Sequence, residues 1–221
     1  MRSSHTVKRL CFVALVCAIL TACASSDPVK YTGIDSSKVL TANEGDSTGR
    51  VPFSYSQPVD WTSYEAVVLP PVAIYRGADN QFGSMSEEDK ATLANYMQQK
   101  FAEELRSRFS LSNAGTRKAL LIKLTLTGAQ TNTAVISTFT RFDIGGGLYN
   151  AVQNARDREA LVGGSIIYSV EVYDASDKRL LKAYITKQYP KPWDIGASMG
   201  ALSASKAGID KGAKALLVQL R

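Results

Sequence analysis

Apolar residues recur at two spacings along this chain, and each spacing predicts a different element. Residues 65–75 form a nearly continuous apolar run, Glu65-Ala66-Val67-Val68-Leu69-Pro70-Pro71-Val72-Ala73-Ile74-Tyr75. It reads as a strand whose two prolines place it near an edge, at a bulge or at its end. A helix follows. Ser86 is its expected N-cap, Glu87, Glu88 and Asp89 suit the positive end of the helix dipole, and Leu93, Met97, Phe101, Leu105 and Phe109 recur every four residues as a core stripe. Residues 113–115 are expected to end it.

Period-two alternation then takes over. Leu120, Ile122, Leu124 and Leu126 alternate with Leu121, Lys123, Thr125 and Thr127, which predicts a strand with one strongly apolar face; residues 131–140 are expected to continue or pair with it. Ile166, Tyr168, Val170 and Val172 alternate with Ile167, Ser169, Glu171 and Tyr173, and residues 174–177 turn the chain. Residues 179–189 return with Leu181, Ala183 and Ile185 on one side, so the two strands are antiparallel neighbours. Pro190, Pro192 and Trp193 end the hairpin. A closing helix over residues 203–219 presents Ile209, Ala213, Leu216 and Leu220 inward, with Lys206, Lys211 and Lys214 on its solvated side. The fold class this predicts is α+β: a single domain with a mainly antiparallel sheet packed by a long central helix and a C-terminal helix.

The two ends of the chain differ in kind. Arg2, Lys8 and Arg9 precede an apolar run over residues 10–20, the charged and apolar regions of a bacterial export signal. Such a run covers only about half of the roughly 30 Å hydrocarbon core, so it suits transient insertion and cleavage rather than permanent spanning. The run ends in Leu20-Thr21-Ala22-Cys23, which resembles the lipobox of bacterial lipoproteins. That resemblance implies a diacylglycerol on the Cys23 sulfur, cleavage before Cys23, and acylation of the new amino group. Several acyl chains give stable attachment, at about 0.8 kcal/mol per buried methylene. In enterobacteria-like sorting an aspartate after the lipidated cysteine favours the inner membrane, and Ala24 is what an outer-membrane lipoprotein carries there. The expected organisation is therefore a signal peptide at 1–22, a lipidated tether at 23–58 and a periplasmic α+β domain at 59–221. Ser, Thr, Asp, Gly and Asn dominate the tether, which reads as flexible, although Tyr31, Ile34, Val39 and Leu40 offer places to dock.

Composition changes meaning once the leader is set aside. The formal charge of +6 includes three basic residues of the leader and no acidic ones, which leaves +3 for the mature chain. No run of Lys and Arg interleaved with aromatics makes a nucleic-acid surface, so nucleic acid is not an expected partner. Cys11, Cys17 and the single histidine, His5, also lie in the leader, and Cys23 is the lipid site. A mature chain without His or a free thiol cannot build the common zinc sites, a Ser-His-Asp triad or a Cys-His pair. We therefore expect no metal, no cofactor and no catalytic residues. Gly145-Gly146-Gly147 lacks the Gly-Lys-Ser/Thr of a phosphate loop and reads as a turn. Asp60, Glu65, Asp143, Asp157, Glu159, Glu171 and Asp174 could pair for glycosidase-like chemistry, but no spacing singles out two of them. Glu171, flanked by Val170 and Val172 within a predicted strand, is the least ordinary.

The stretch from Trp61-Thr62-Ser63-Tyr64 through Val72, the helix carrying Leu93 to Leu105, and Val170-Glu171-Val172-Tyr173-Asp174 resemble the bacterial lipoprotein family catalogued as domain of unknown function 3313. The resemblance covers about residues 31–220, and its motifs are structural rather than catalytic. One departure is the short Ser112-Asn113-Ala114-Gly115 connection, where the family pattern has a longer proline- and glycine-rich one. More distantly, the Val67-to-Pro71 strand feeding a long helix is similar to the amino-terminal domain of the Tol-system periplasmic protein and to curli secretion-channel lipoproteins. The function these features predict is a non-enzymatic interaction or envelope-assembly module, tethered to the outer membrane and facing the periplasm. Its expected partners are the membrane, through Cys23, and envelope proteins; Trp61, Tyr64, Tyr75, Tyr189 and Trp193 could supply a contact surface, although a Trp or Tyr at a strand end is more often core or edge cover. The alternative is a module that binds a small ligand or cell-wall fragment.

Overall fold

The computed structural model describes residues 27–113, 117–131, 164–190 and 200–221. Cys23 and the leader, the remainder of the 131–140 segment, Gly145 to Gly147, Asp143, Asp157, Glu159 and Trp193 lie outside the described residues. Among those described, eight strands make one mixed sheet: β1 (Thr41–Ala42), β2 (Phe53–Ser56), β3 (Ala66–Val68), β4 (Ala73–Ile74), β5 (Ser110–Leu111), β6 (Ala119–Gln130), β7 (Ser165–Asp174) and β8 (Leu180–Gln188). Their order is β1-β2-β8-β7-β6-β3-β5, with β4 also paired to β6. The long ladders, β6 with β7 and β7 with β8, are antiparallel; β3 and β4 run parallel to β6. This is the expected α+β domain.

Helix α1 (Glu87–Arg106) is the crossover that a parallel β3–β6 pair requires. It begins where the sequence places it. The Ser86 hydroxyl accepts from the Asp89 backbone N–H at 3.1 Å, with three acids in the first turn. Leu93, Met97, Phe101 and Leu105 are at most 1% exposed, each contributing about 2 kcal/mol by burial. The helix closes earlier than residue 113: the Ser107 N–H caps it, and Phe109 enters the same core from the following turn as the chain extends into β5. The prolines fall between β3 and β4 and split the predicted strand in two, while β3 itself lies inside the sheet between β6 and β5.

Helix α2 (Ser203–Gln219) lies beside α1 on the same face of the sheet, where the Tyr96 hydroxyl donates to Asp210 Oδ1 at 2.9 Å. Its close approach to β7 depends on Gly208 and Gly212. A Cβ at Gly208 would lie 2.9 Å from Ile166 Cγ2, and one at Gly212 would overlap the Tyr168 hydroxyl. Val67, Leu120, Ile122, Leu124, Leu126, Ile166, Tyr168, Val170 and Val172 complete the core beneath the helices. No helix among the described residues is long and apolar enough to cross a membrane.

Two features depart from the period-two reading. Bulges fall between Leu126 and Gly128 and between Val172 and Tyr173. The second shifts the phase of β8, so Leu181 joins the helix-side core while Ala183 and Ile185 face the other way. The larger departure is the expected flexible tether. From residue 27 to β2 the chain is packed on the sheet: Tyr31 and Leu40 are at most 2% exposed, and β2 pairs with β8. The polar composition is real, but three buried apolar side chains and two strands suffice to dock the segment.

Gly212→Ala should lower stability by about 1–3 kcal/mol through overpacking against Tyr168. The Tyr168 hydroxyl has no hydrogen-bond partner among the described residues, so Tyr168→Phe in the same chain should restore most of the loss; thermal melts of the single and double variants check both.

Candidate functional site

The face of the sheet opposite the helices is covered by residues 27–56, which form a strap. β7 dictates this. Its second set of side chains, Ile167, Ser169, Glu171 and Tyr173, is also buried, so this face must be shielded from water. Tyr31, Ile34, Leu40 and Tyr75 pack there against Ile167, Ala183 and Ile185.

At the centre is Glu171, 2% exposed. Its carboxylate accepts the Ser36 backbone N–H at 2.6 Å, from a 3-10 turn at Asp35–Lys38 in the strap. Lys123, its register partner on β6, reaches Asp35 at 2.7 Å and lies 5.2 Å from the Tyr173 ring centroid. Burial, and then the Glu171 charge, push the Tyr173 hydroxyl well above the ordinary tyrosine range. The buried Oγ of Ser36 and Ser169 and Oγ1 of Thr127 have no protein partner among the described residues.

A second cluster holds the beginning of the strap. Tyr31 and Tyr75 meet edge-to-face with ring centroids 5.3 Å apart. The Tyr75 hydroxyl donates to Asp79 Oδ1 at 2.7 Å and accepts the Gly33 N–H at 3.0 Å; the Thr32 N–H donates to Asp79 Oδ2 at 2.9 Å. The Tyr31 hydroxyl donates to Gln81 Oε1, and Gln81 Nε2 donates to the Asp27 carbonyl at 2.9 Å. Hydrogen bonds from Tyr75 and then from the Thr32 backbone hold Asp79 below its ordinary value of 3.8, while burial pushes Tyr31 up to about 12. Gln81 is itself bridged to Gly128 beside the β6 bulge. At the far end of the strap, buried Arg50 stacks 3.7 Å over the Tyr189 ring.

The expected site residues are therefore dispersed. Asp60 caps the short turn at Trp61–Ser63 by accepting from Thr62, Glu65 pairs with Lys118 at 2.7 Å on the surface, and Asp174 accepts from Ser176 in the hairpin turn and from the Tyr64 hydroxyl. Each described candidate carboxylate thus has a structural partner, and Glu171 holds the strap. The aromatics are similarly engaged. Trp61 and Tyr64 pack against the helix-side core, Tyr75 lies beneath the strap, and Tyr189 is covered by Arg50. Asp35, Ser36, Asp79 and Gln81 escaped the sequence reading, and the available signal was β7 itself, whose two faces both carry apolar residues.

The family model described as "Protein of unknown function (DUF3313)" matches residues 30–216. The chain belongs to this family. No curated protein matches. Among solved structures it is similar to the PelC dodecamer from Paraburkholderia phytofirmans, with 10% identity, a TM-score of 0.39, and coverage of 73% of this chain and 94% of that one. A Xanthomonas campestris protein of family DUF330 gives 9% identity, a TM-score of 0.35, and coverage of 70% and 81%. A PDZ domain protein from Parabacteroides distasonis gives 11% identity, a TM-score of 0.34, and coverage of 76% and 33%. At this depth the likenesses carry no functional argument. The matched family segment includes almost the whole strap, so strap and sheet belong to one DUF3313 unit.

Glu171→Ala should cost about 2 kcal/mol, since it orphans a buried N–H that bonds a charged group, whereas Glu171→Gln, which keeps an acceptor, should cost less; denaturant midpoints compare them. Asp79 has a depressed folded pKa, so its contribution is complete above about pH 4 and is lost as the pH falls through that depressed value. The protection factors of the amides in residues 31–34 should therefore fall on acidification, and Asp79→Asn should flatten that dependence.

Proposed function

We infer that this DUF3313 protein is a non-enzymatic envelope lipoprotein, lipidated on Cys23 and held at the periplasmic face of the outer membrane, where it acts as an interaction or assembly module. The observation that carries this reading is the sequence Leu20-Thr21-Ala22-Cys23 directly after a charged and apolar leader. Ala24 favours the outer membrane over the inner one. The non-enzymatic part is supported by the way the described candidate carboxylates are spent on a cap, a surface ion pair, a turn and the strap. With its described aromatics packed inward, the module would meet partners through its polar surface.

Cys23→Ser should abolish acyl labelling and release the protein from membranes. Unchanged membrane association of that variant overturns the lipoprotein reading. Crosslinking of the native protein in intact cells should return a reproducible envelope partner. Turnover of muropeptides or glycans by the purified protein, lost when a carboxylate is changed, would overturn the non-enzymatic part.

A further inference from the structure

The strap changes how far such an anchor could hold the domain from a bilayer. Resting on the lipid anchor at Cys23 proposed above, we propose that the corner built by residues 27–30 and 77–81 is the surface that faces the lipid. The argument is one of reach. Gln81 Nε2 already holds the Asp27 carbonyl at 2.9 Å, Pro28 is buried, and Tyr31 is fully buried. Three residues lie between Cys23 and Asp27, and the four extended steps that join them span at most about 14 Å. An anchor on the Cys23 sulfur therefore brings this corner to the headgroup layer. The other end of the sheet lies far enough from this corner for its distance from the bilayer to be told apart. Gln81 is bridged to Gly128 near one end of β6, and the Ala175 N–H donates to the Ala119 carbonyl at the other. Nine steps of strand, from Ala119 to Gly128, separate the two by about 30 Å.

The chemistry of the corner suits a lipid surface. Val29, 40% exposed, is one of three exposed large apolar residues among those described, and Lys30 beside it is also exposed. An apolar side chain next to a long cationic one fits the boundary between headgroups and acyl chains. Tyr75 and Thr32 hydrogen-bond both Asp79 oxygens, so that carboxylate is held in place, but with Asp27 it offsets the Lys30 charge, and the orientation rests on reach rather than on charge.

The test uses the full lipidated protein, purified from bacterial membranes and reconstituted in vesicles of phosphatidylethanolamine and phosphatidylglycerol. Ala78→Cys and Ser176→Cys place one fluorophore at each end of β6, both at exposed positions. Vesicles carrying a headgroup nitroxide should quench the label at residue 78 several-fold more than the label at residue 176. Equal quenching, or stronger quenching at 176, in protein that is acylated and sediments with vesicles overturns the orientation while leaving the anchor standing. Protein that carries no acyl group and fails to sediment overturns the anchor instead. Inserting twelve Gly and Ser residues after Ser26 should remove the difference between the labels; a difference that persists would show that the short reach does not set the orientation.

Discussion

Strand β7 has no side that can meet water. Nine of its ten residues are buried, and the alternation of a strand sends them to both faces of the sheet. The architecture follows from supplying two covers. On one face α1 and α2 close over Ile166, Tyr168, Val170 and Val172. On the other lies Glu171, whose charge is costly to bury unless something donates to it. The Ser36 N–H does so, which makes the strap part of the domain.

The two covers are built from different chemistry. The helical side closes on aliphatic and aromatic packing, with two glycines letting α2 settle onto β7. The strap side relies on tyrosines, the Lys123–Asp35 ion pair and hydrogen bonds that join residues far apart in sequence, and several of its buried hydroxyls find no protein partner among the described residues. Such a layer is expected to open locally at lower free energy than the helical core. The domain thus has a rigid side and a side whose closure depends on ionised carboxylates.

Elements whose stability is local were readable from the residues alone. Ser86, the following acids and the four-residue stripe mark α1 without reference to anything else, and the hairpin of β7 and β8 announces itself by alternation around residues 174–177. The strap was hidden for a physical reason. Tyr31, Ile34 and Leu40 follow neither helical nor strand spacing, because they dock as separate anchors onto a surface that exists only after the sheet has formed. Asp79 and Thr32 lie 47 residues apart, and nothing in either neighbourhood marks them as partners. Glu171 stood out as chemically unusual, yet residue type alone could not distinguish a reactive carboxylate from one that clamps a turn. The bulge that separates Leu181 from Ala183 depends on strand pairing and leaves no local trace.

Among the described residues the sheet finishes on β1 at one side and β5 at the other, each only two residues long. Edges this short offer few free N–H and C=O groups for another chain to pair with. On the described residues, a neighbouring molecule finds little outer edge on which to extend the sheet. Short edges of this kind are a safeguard against strand-by-strand polymerisation.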